Sequence, residues 1–151
     1  DVIEPRLQAA RRLGAEAAFP AGEDIPARFR EINDGRGADI VIVCAGATPV
    51  VEQALKAVSR AGTVLFFATT RPEVSIPLPL KDFFWRNEVT LTSSYAGSPA
   101  DCETALELIR AGRLPVSGTV TDRLPLAEAG RGFKLVAEPG SSIKVIIEPQ
   151  R

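Results

Sequence analysis

The apolar positions of the chain fall into two rhythms. One is a short unbroken run, as at 39–44 (DIVIVC) and 63–67 (TVLFF). The other is a helical recurrence, as at Val51, Ala54, Leu55 and Val58. Together they make residues 37–68 the organising stretch, read as strand, helix, strand. The run at 39–44 has the unbroken apolar character of a parallel strand buried on both faces. Thr48 and Pro49 are expected as N-cap and first helical residue, and Arg60, Ala61 and Gly62 as the helix end. Two strands joined by one helix form a right-handed parallel crossover, the building block of doubly wound sheets. Ligands of such sheets bind at the carboxyl ends of the strands, here Cys44, Ala45, Gly46 and Ala68, Thr69.

The flanks follow the same alternation. Pro5 opens a helix through Leu7, Ala10 and Leu13, with Arg6, Arg11 and Arg12 toward solvent and Gly14 closing it. Residues 15–19 are a strand candidate. A helix at 26–32, with Phe29 and Ile32 inward, ends at Asn33, Asp34 and Gly35. Pro72, Pro77 and Pro79 make 69–79 a loop with an extended segment at 74–76. Residues 80–85 form a short aromatic helix or turn, and 88–92 a strand. Ser98 or Pro99 starts a helix whose apolar face carries Cys102, Ala105, Leu106 and Ile109 and which stops at Gly112. Residues 114–124 read as extended and irregular, 126–136 as a helix weakened by Gly130 and Gly132, 138–141 as a turn, and 143–147 as the last strand. The order is α/β and mostly parallel.

Composition narrows the function more than the fold. With 151 residues, 45% hydrophobic and 25% charged, the chain suits one soluble domain. A net charge of −1, few lysines and scattered arginines argue against nucleic acid as a partner. No run reaches the roughly 18 apolar residues of a membrane span. Cys44 and Cys102 are isolated, so no disulfide framework is expected and the cytoplasm is the expected compartment. There is no histidine. Histidine-based acid/base chemistry and histidine-containing zinc sites are therefore excluded within these residues, and neither a catalytic nor a metal-ligating set is expected.

Five blocks then carry a resemblance: DVIEPRLQAARRLGA, GADIVIVCAG, AGTVLFFA, NEVTLTSSYAGSPADCETALELIRAGRLPV, and LPLAEAGRGFKLV with SSIKVII. In this order and spacing the chain resembles the nucleotide-binding domain of the zinc-dependent medium-chain dehydrogenase/reductase family, nearest its sorbitol and threonine dehydrogenase-like branch. The resemblance implies a Rossmann-like doubly wound sheet over 1–151 and a dinucleotide cofactor. Asp1 matches the acidic residue that bonds the adenosine ribose hydroxyls; a carboxylate there selects NAD over NADP. Arg6 matches an arginine beside the adenine. Cys44, Ala45 and Gly46 match a turn along the riboses. Phe67, Ala68 and Thr69, with alanine in place of the usual glycine, match a strand end beside the nicotinamide amide, and Ser93, Ser94 and Tyr95 a second segment holding that amide. Lys144 matches a basic contact to the pyrophosphate. Plain structural roles stay open for each: a solvated terminus for Asp1, a solvated helix face for Arg6, a soluble sheet edge for Lys144.

What the resemblance lacks is equally specific. The GxGxxG phosphate turn, the first strand, and the catalytic domain with its zinc ligands have no counterpart here. The chain is expected to be the last two-fifths of such an enzyme and inactive alone. The parent is expected to oxidise a secondary alcohol or polyol, with zinc held by residues outside this chain. Homo-oligomerisation is expected through the strand between Glu88 and Thr92. The apolar strand at 39–44, without its central neighbour, is expected to have its free edge covered. A zinc-free NADPH quinone reductase and a non-catalytic Rossmann-type module are the competing readings.

Overall fold

A computed structural model describes residues 1–138 and 140–150. The turn expected at 138–141 includes Pro139, which lies outside the described residues. The chain divides into two units, one made of residues 1–22 and 97–151, the other of residues 23–96.

The continuous unit is built on a three-stranded parallel sheet. Its helix α2 (Ile25–Ile32) starts where the Asp24 carboxylate accepts a hydrogen bond from the Ala27 N–H at 3.1 Å. Strand β1 (Ala38–Val43), helix α3 (Thr48–Ala57) and strand β2 (Val58–Phe66) form the expected crossover, and β3 (Thr90–Ser93) adds on the far side of β2. Both pairings are parallel. The short helix α4 (Leu80–Phe83) precedes β3. Val51, Ala54 and Leu55 of α3, Val43, Val64, Phe83 and Val89 make one buried cluster.

Several boundaries differ from expectation for local reasons. The N-cap of α3 is Ala47, with no side-chain bond, so Thr48 and Pro49 are its first two helical residues. The helix ends at Ala57 rather than at 60–62. Residues 59–62 are an excursion within β2: the register passes from Ala38 opposite Val58 to Ile40 opposite Thr63. Ala61 takes a φ of 57° and its N–H is bonded to the Asn87 carbonyl at 2.6 Å. Strand β1 is not buried on both faces. Val43 is buried, but Ile40 and Ile42 are 69% and 55% exposed, because α3 covers only one face and, among the described residues, β1 pairs with β2 alone. Ile32 is likewise exposed rather than inward, and residues 74–76 form no strand.

The discontinuous unit has its own parallel pair. Helix α1 (Glu4–Arg12) carries Pro5 in its first turn and Arg11 and Arg12 in its last, consistent with the helix dipole. Leu7 and Ala9 are buried. Residues 15–19 form no strand, since no ladder receives them. Helix α5 (Pro99–Arg110) starts in a capping box between Ser98 and Asp101. None of its side chains is buried, so the apolar face expected to pack inward is exposed. Strand β4 (Val120–Pro125), helix α6 (Ala129–Ala137) and strand β5 (Lys144–Glu148) complete the unit, with β4 parallel to β5. The buried Gly132 permits close helix–strand approach: a Cβ there would lie 3.1 Å from Ile147 Cδ1 and 3.3 Å from Val145 Cγ1.

Candidate functional site

The three parallel strands of the continuous unit end together, and their carboxyl ends are stitched by backbone. The Val43 carbonyl at the end of β1 accepts from the N–H groups of Phe67 at 3.1 Å and Ala68 at 2.9 Å. The Phe66 carbonyl at the end of β2 accepts from the Ser94 N–H at 3.4 Å. The segments Cys44, Ala45, Gly46, then Phe67, Ala68, Thr69, then Ser93, Ser94, Tyr95 are thereby side by side. All nine expected positions of this unit lie at one end of one sheet.

Gly46 explains the closeness. A Cβ on it would lie 2.0 Å from the Thr69 carbonyl oxygen, a separation no side chain tolerates, so only glycine lets these two turns approach. Beside them is a cleft of about 520 Å³, lined by Phe67, Ala68, Thr69, Ser93, Ser94 and Tyr95. Its volume is that of a small-molecule site. Tyr95 is 93% exposed and Phe67 60%, so both rings are largely open to solvent. Val51 lines the back, and Thr70, Val74 and Ile76 come from the proline-rich loop. The sequence assigns a role in that loop to Thr69 alone; the signal for Thr70 is that it is the next residue.

The remaining expected positions belong to the discontinuous unit. One Asp1 carboxylate oxygen accepts from the Ile3 N–H at 2.9 Å, and the other stands 4.0 Å from Arg6 Nη1. The expectation that Arg6 points to solvent is corrected: its Nη2 donates to the Ser142 carbonyl at 2.7 Å, and Nε is enclosed without a partner. The reason is a long-range contact, since the acceptor Ser142 lies two residues ahead of β5. Lys144, the first residue of β5, is exposed. Nearby, the Asp122 carboxylate accepts from the hydroxyls of Thr121 and Ser142, both at 2.7 Å. These bonds, Thr121 first and Ser142 second, hold its pKa below the ordinary carboxylate value.

The donors present do not fit a metal. The chain has no histidine, and among the described residues no three Cys, Asp or Glu side chains converge. A flat part of a dinucleotide is a better fit, because the cleft lined by Phe67, Ala68, Thr69, Ser93, Ser94 and Tyr95 has the volume of a small-molecule site.

Parallel strands crossing through a helix, with a cleft at their carboxyl ends, define a Rossmann-like α/β fold. The family model for zinc-binding dehydrogenases matches residues 1–111, and the chain belongs to that family, the zinc-dependent medium-chain dehydrogenases. It is 29% identical over 148 residues to sorbitol dehydrogenase of Halalkalibacterium halodurans, covering 95% of this chain and 41% of the relative. It is 30% identical to a probable D-xylulose reductase A of Aspergillus terreus, covering 97% and 42% respectively. Alcohol dehydrogenase from Thermus sp. ATN1 superposes with a TM-score of 0.81 at 28% identity, over 98% of this chain and 42% of that one. The chain thus spans about two-fifths of the length of the relatives it matches.

Proposed function

We propose that this chain is the cofactor-binding portion of an NAD(H)-dependent alcohol or polyol dehydrogenase. In the whole protein, hydride would pass between a secondary alcohol and the nicotinamide. The observation that carries the reading is the close backbone apposition of Gly46 and Thr69 at the strand ends, beside a cleft lined from the ends of β2 and β3.

In this reading the cleft receives the nicotinamide half of the dinucleotide. The N–H groups of Phe67, Ala68 and Ser94 are already engaged within the sheet. A nicotinamide carboxamide would therefore bond to backbone groups other than these three N–H groups. Cys44, Ala45 and Gly46 run along the riboses, and Ser93, Ser94 and Tyr95 close the other side. Asp1 takes the adenosine ribose hydroxyls and sets the preference for NAD, Arg6 lies beside the adenine, and Lys144 meets the pyrophosphate. Zinc belongs to residues of the whole protein outside this chain. Two free cysteines accord with a reducing, cytoplasmic compartment. The unpaired edge of β3, whose one partner among the described strands is β2, supports a homo-oligomer formed by strand pairing.

Calorimetric titration with NAD and NADP tests the proposal. Preference for NAD supports it. Preference for NADP replaces it with a quinone reductase-like reading, and no binding by a folded chain leaves a non-catalytic module.

A further inference from the structure

The amino end of β2 and the approach to β3 border a second concavity that the cofactor role does not use. Its volume is about 530 Å³, again that of a small-molecule site. The walls are apolar: Leu55 of α3, Val58 at the start of β2, Phe83 of α4, and Val89 ahead of β3. Leu55, Phe83 and Val89 are also part of the buried cluster, so these walls are anchored in the core. Pro77 and Pro79 close one side, and their fixed φ angles keep that side stiff.

The rim is charged. Arg30, Lys56 and Arg60 supply three positive charges against two negative ones from Glu52 and Asp82. Both guanidinium groups are tethered by backbone. Arg30 donates from Nη2 to the Lys56 carbonyl at 2.7 Å and from Nη1 to the Pro26 carbonyl at 3.2 Å. Arg60 donates from Nη2 to the Arg86 carbonyl at 2.9 Å. A guanidinium has five N–H donors, so the tethers orient each fork without using all of it. Such preorganisation lowers the ordering cost of binding an anion.

The two clefts lie at opposite ends of β2, from Val58 to Phe66, a span of at most roughly 26 Å at the usual strand rise. Ile76 lines both and so cannot report which one is filled.

The geometry points to a second ligand site here, for a small monoanion with an apolar body about one ring in size, an aromatic carboxylate being the simplest example. The ring lies against Leu55, Phe83 and Val89. The carboxylate faces Lys56 and the free donors of Arg60. Glu52 and Asp82 leave a net charge of one, which disfavours a dianion.

The test is a titration of the full chain, followed through its backbone amide signals by NMR, with phenylacetate and its neutral counterpart phenylacetamide. Phenylacetate is expected to move the amides of Lys56, Ser59 and Phe83, to leave Ser94 and Tyr95 unmoved, and to bind more tightly than the amide. Lys56→Gln is expected to weaken phenylacetate roughly two- to fivefold, and Glu52→Gln to tighten it by a similar factor. Both residues are exposed on α3, and circular dichroism verifies the fold of each variant. No movement of the Lys56, Ser59 and Phe83 amides overturns the site, as does movement confined to Ser94 and Tyr95. Equal affinity for the amide, or substitutions that fail to act in opposite directions, overturns the assignment of the ligand as an anion.

Discussion

Gly46 and Thr69 approach so closely that one added methyl group on the glycine would stand 2.0 Å from the threonine's carbonyl oxygen. The obstacle is backbone, so no rotamer change relieves it. Gly46→Ala is expected to destabilise the chain by about 3 kcal/mol, at the upper end of overpacking costs. It is also expected to lose dinucleotide binding, because the strand ends must part. Urea denaturation and a cofactor titration measure the two effects separately.

Asp1→Asn keeps a hydrogen-bond acceptor but removes the charge. A charge-assisted bond to two ribose hydroxyls is worth about 1.5–3 kcal/mol, so NAD affinity is expected to fall about tenfold or more. NADP affinity is expected to fall less or to rise, since the repulsion of a 2′-phosphate goes with the charge. Comparing the two dissociation constants by NADH and NADPH fluorescence decides it. An unchanged ratio removes Asp1 from the selection of cofactor.

Two carboxylates set the acid limit of the discontinuous unit. Asp101 is held below its ordinary value of 3.8 by the backbone N–H of Ser98 first and the Ser98 hydroxyl second. Asp122 is lowered by Thr121 and then Ser142. A carboxylate whose folded pKa is depressed contributes stability that is fully present above the unfolded pKa and is lost as pH falls through the folded value. Thermal unfolding midpoints are therefore expected to hold steady above about pH 4 and to fall below it. Asp101→Asn combined with Asp122→Asn is expected to flatten that fall while lowering the midpoint at neutral pH.

The exposed pair Ile40 and Ile42 predicts self-association. An apolar sheet face beside an unpaired edge is a template for adhesion between chains. Sedimentation of the purified chain is expected to show concentration-dependent species, and Ile42→Lys to shift them toward monomer. A wild-type chain that stays monomeric at high concentration contradicts this.

The elements with unbroken or cleanly periodic apolar patterns were legible from residues alone. The crossover from β1 through α3 to β2 is one case, and the helix start at Ser98 or Pro99 is another, Ser98 being the N-cap of α5. Strand β4 was not legible, because its core VTDRLP breaks the pattern with Asp122 and Arg123. Its pairing with β5, a tertiary event, is what makes it a strand. Arg60, Ala61 and Gly62 have the pattern of a helix end but lie in the excursion within β2, since glycine after alanine signals either. Gly132 looked like a helix breaker, yet the space it leaves for Ile147 and Val145 is what seats α6. For the cleft, alternation located the strand ends, whereas the contribution of Thr70, Val74 and Ile76 needed the course of the loop. The inward turn of Arg6 toward Ser142 links residues 136 apart in sequence, beyond any local pattern.

That long link bears on how the molecule is made. Residues 23–96 form an uninterrupted unit, while the other unit joins residues 1–22 to 97–151. During synthesis the inner unit has all its strands once Ser93 has left the ribosome, and it can close its sheet at once. Helix α1, made before that unit, must wait until Ser142 and β5 emerge before the Arg6 contact forms, and closing so long a loop adds an entropic cost that grows with its length. Birth order and maturation order are thus reversed for these residues: 23–96 ripen before 1–22, and a nascent chain stalled short of β5 carries one finished unit and one unfinished.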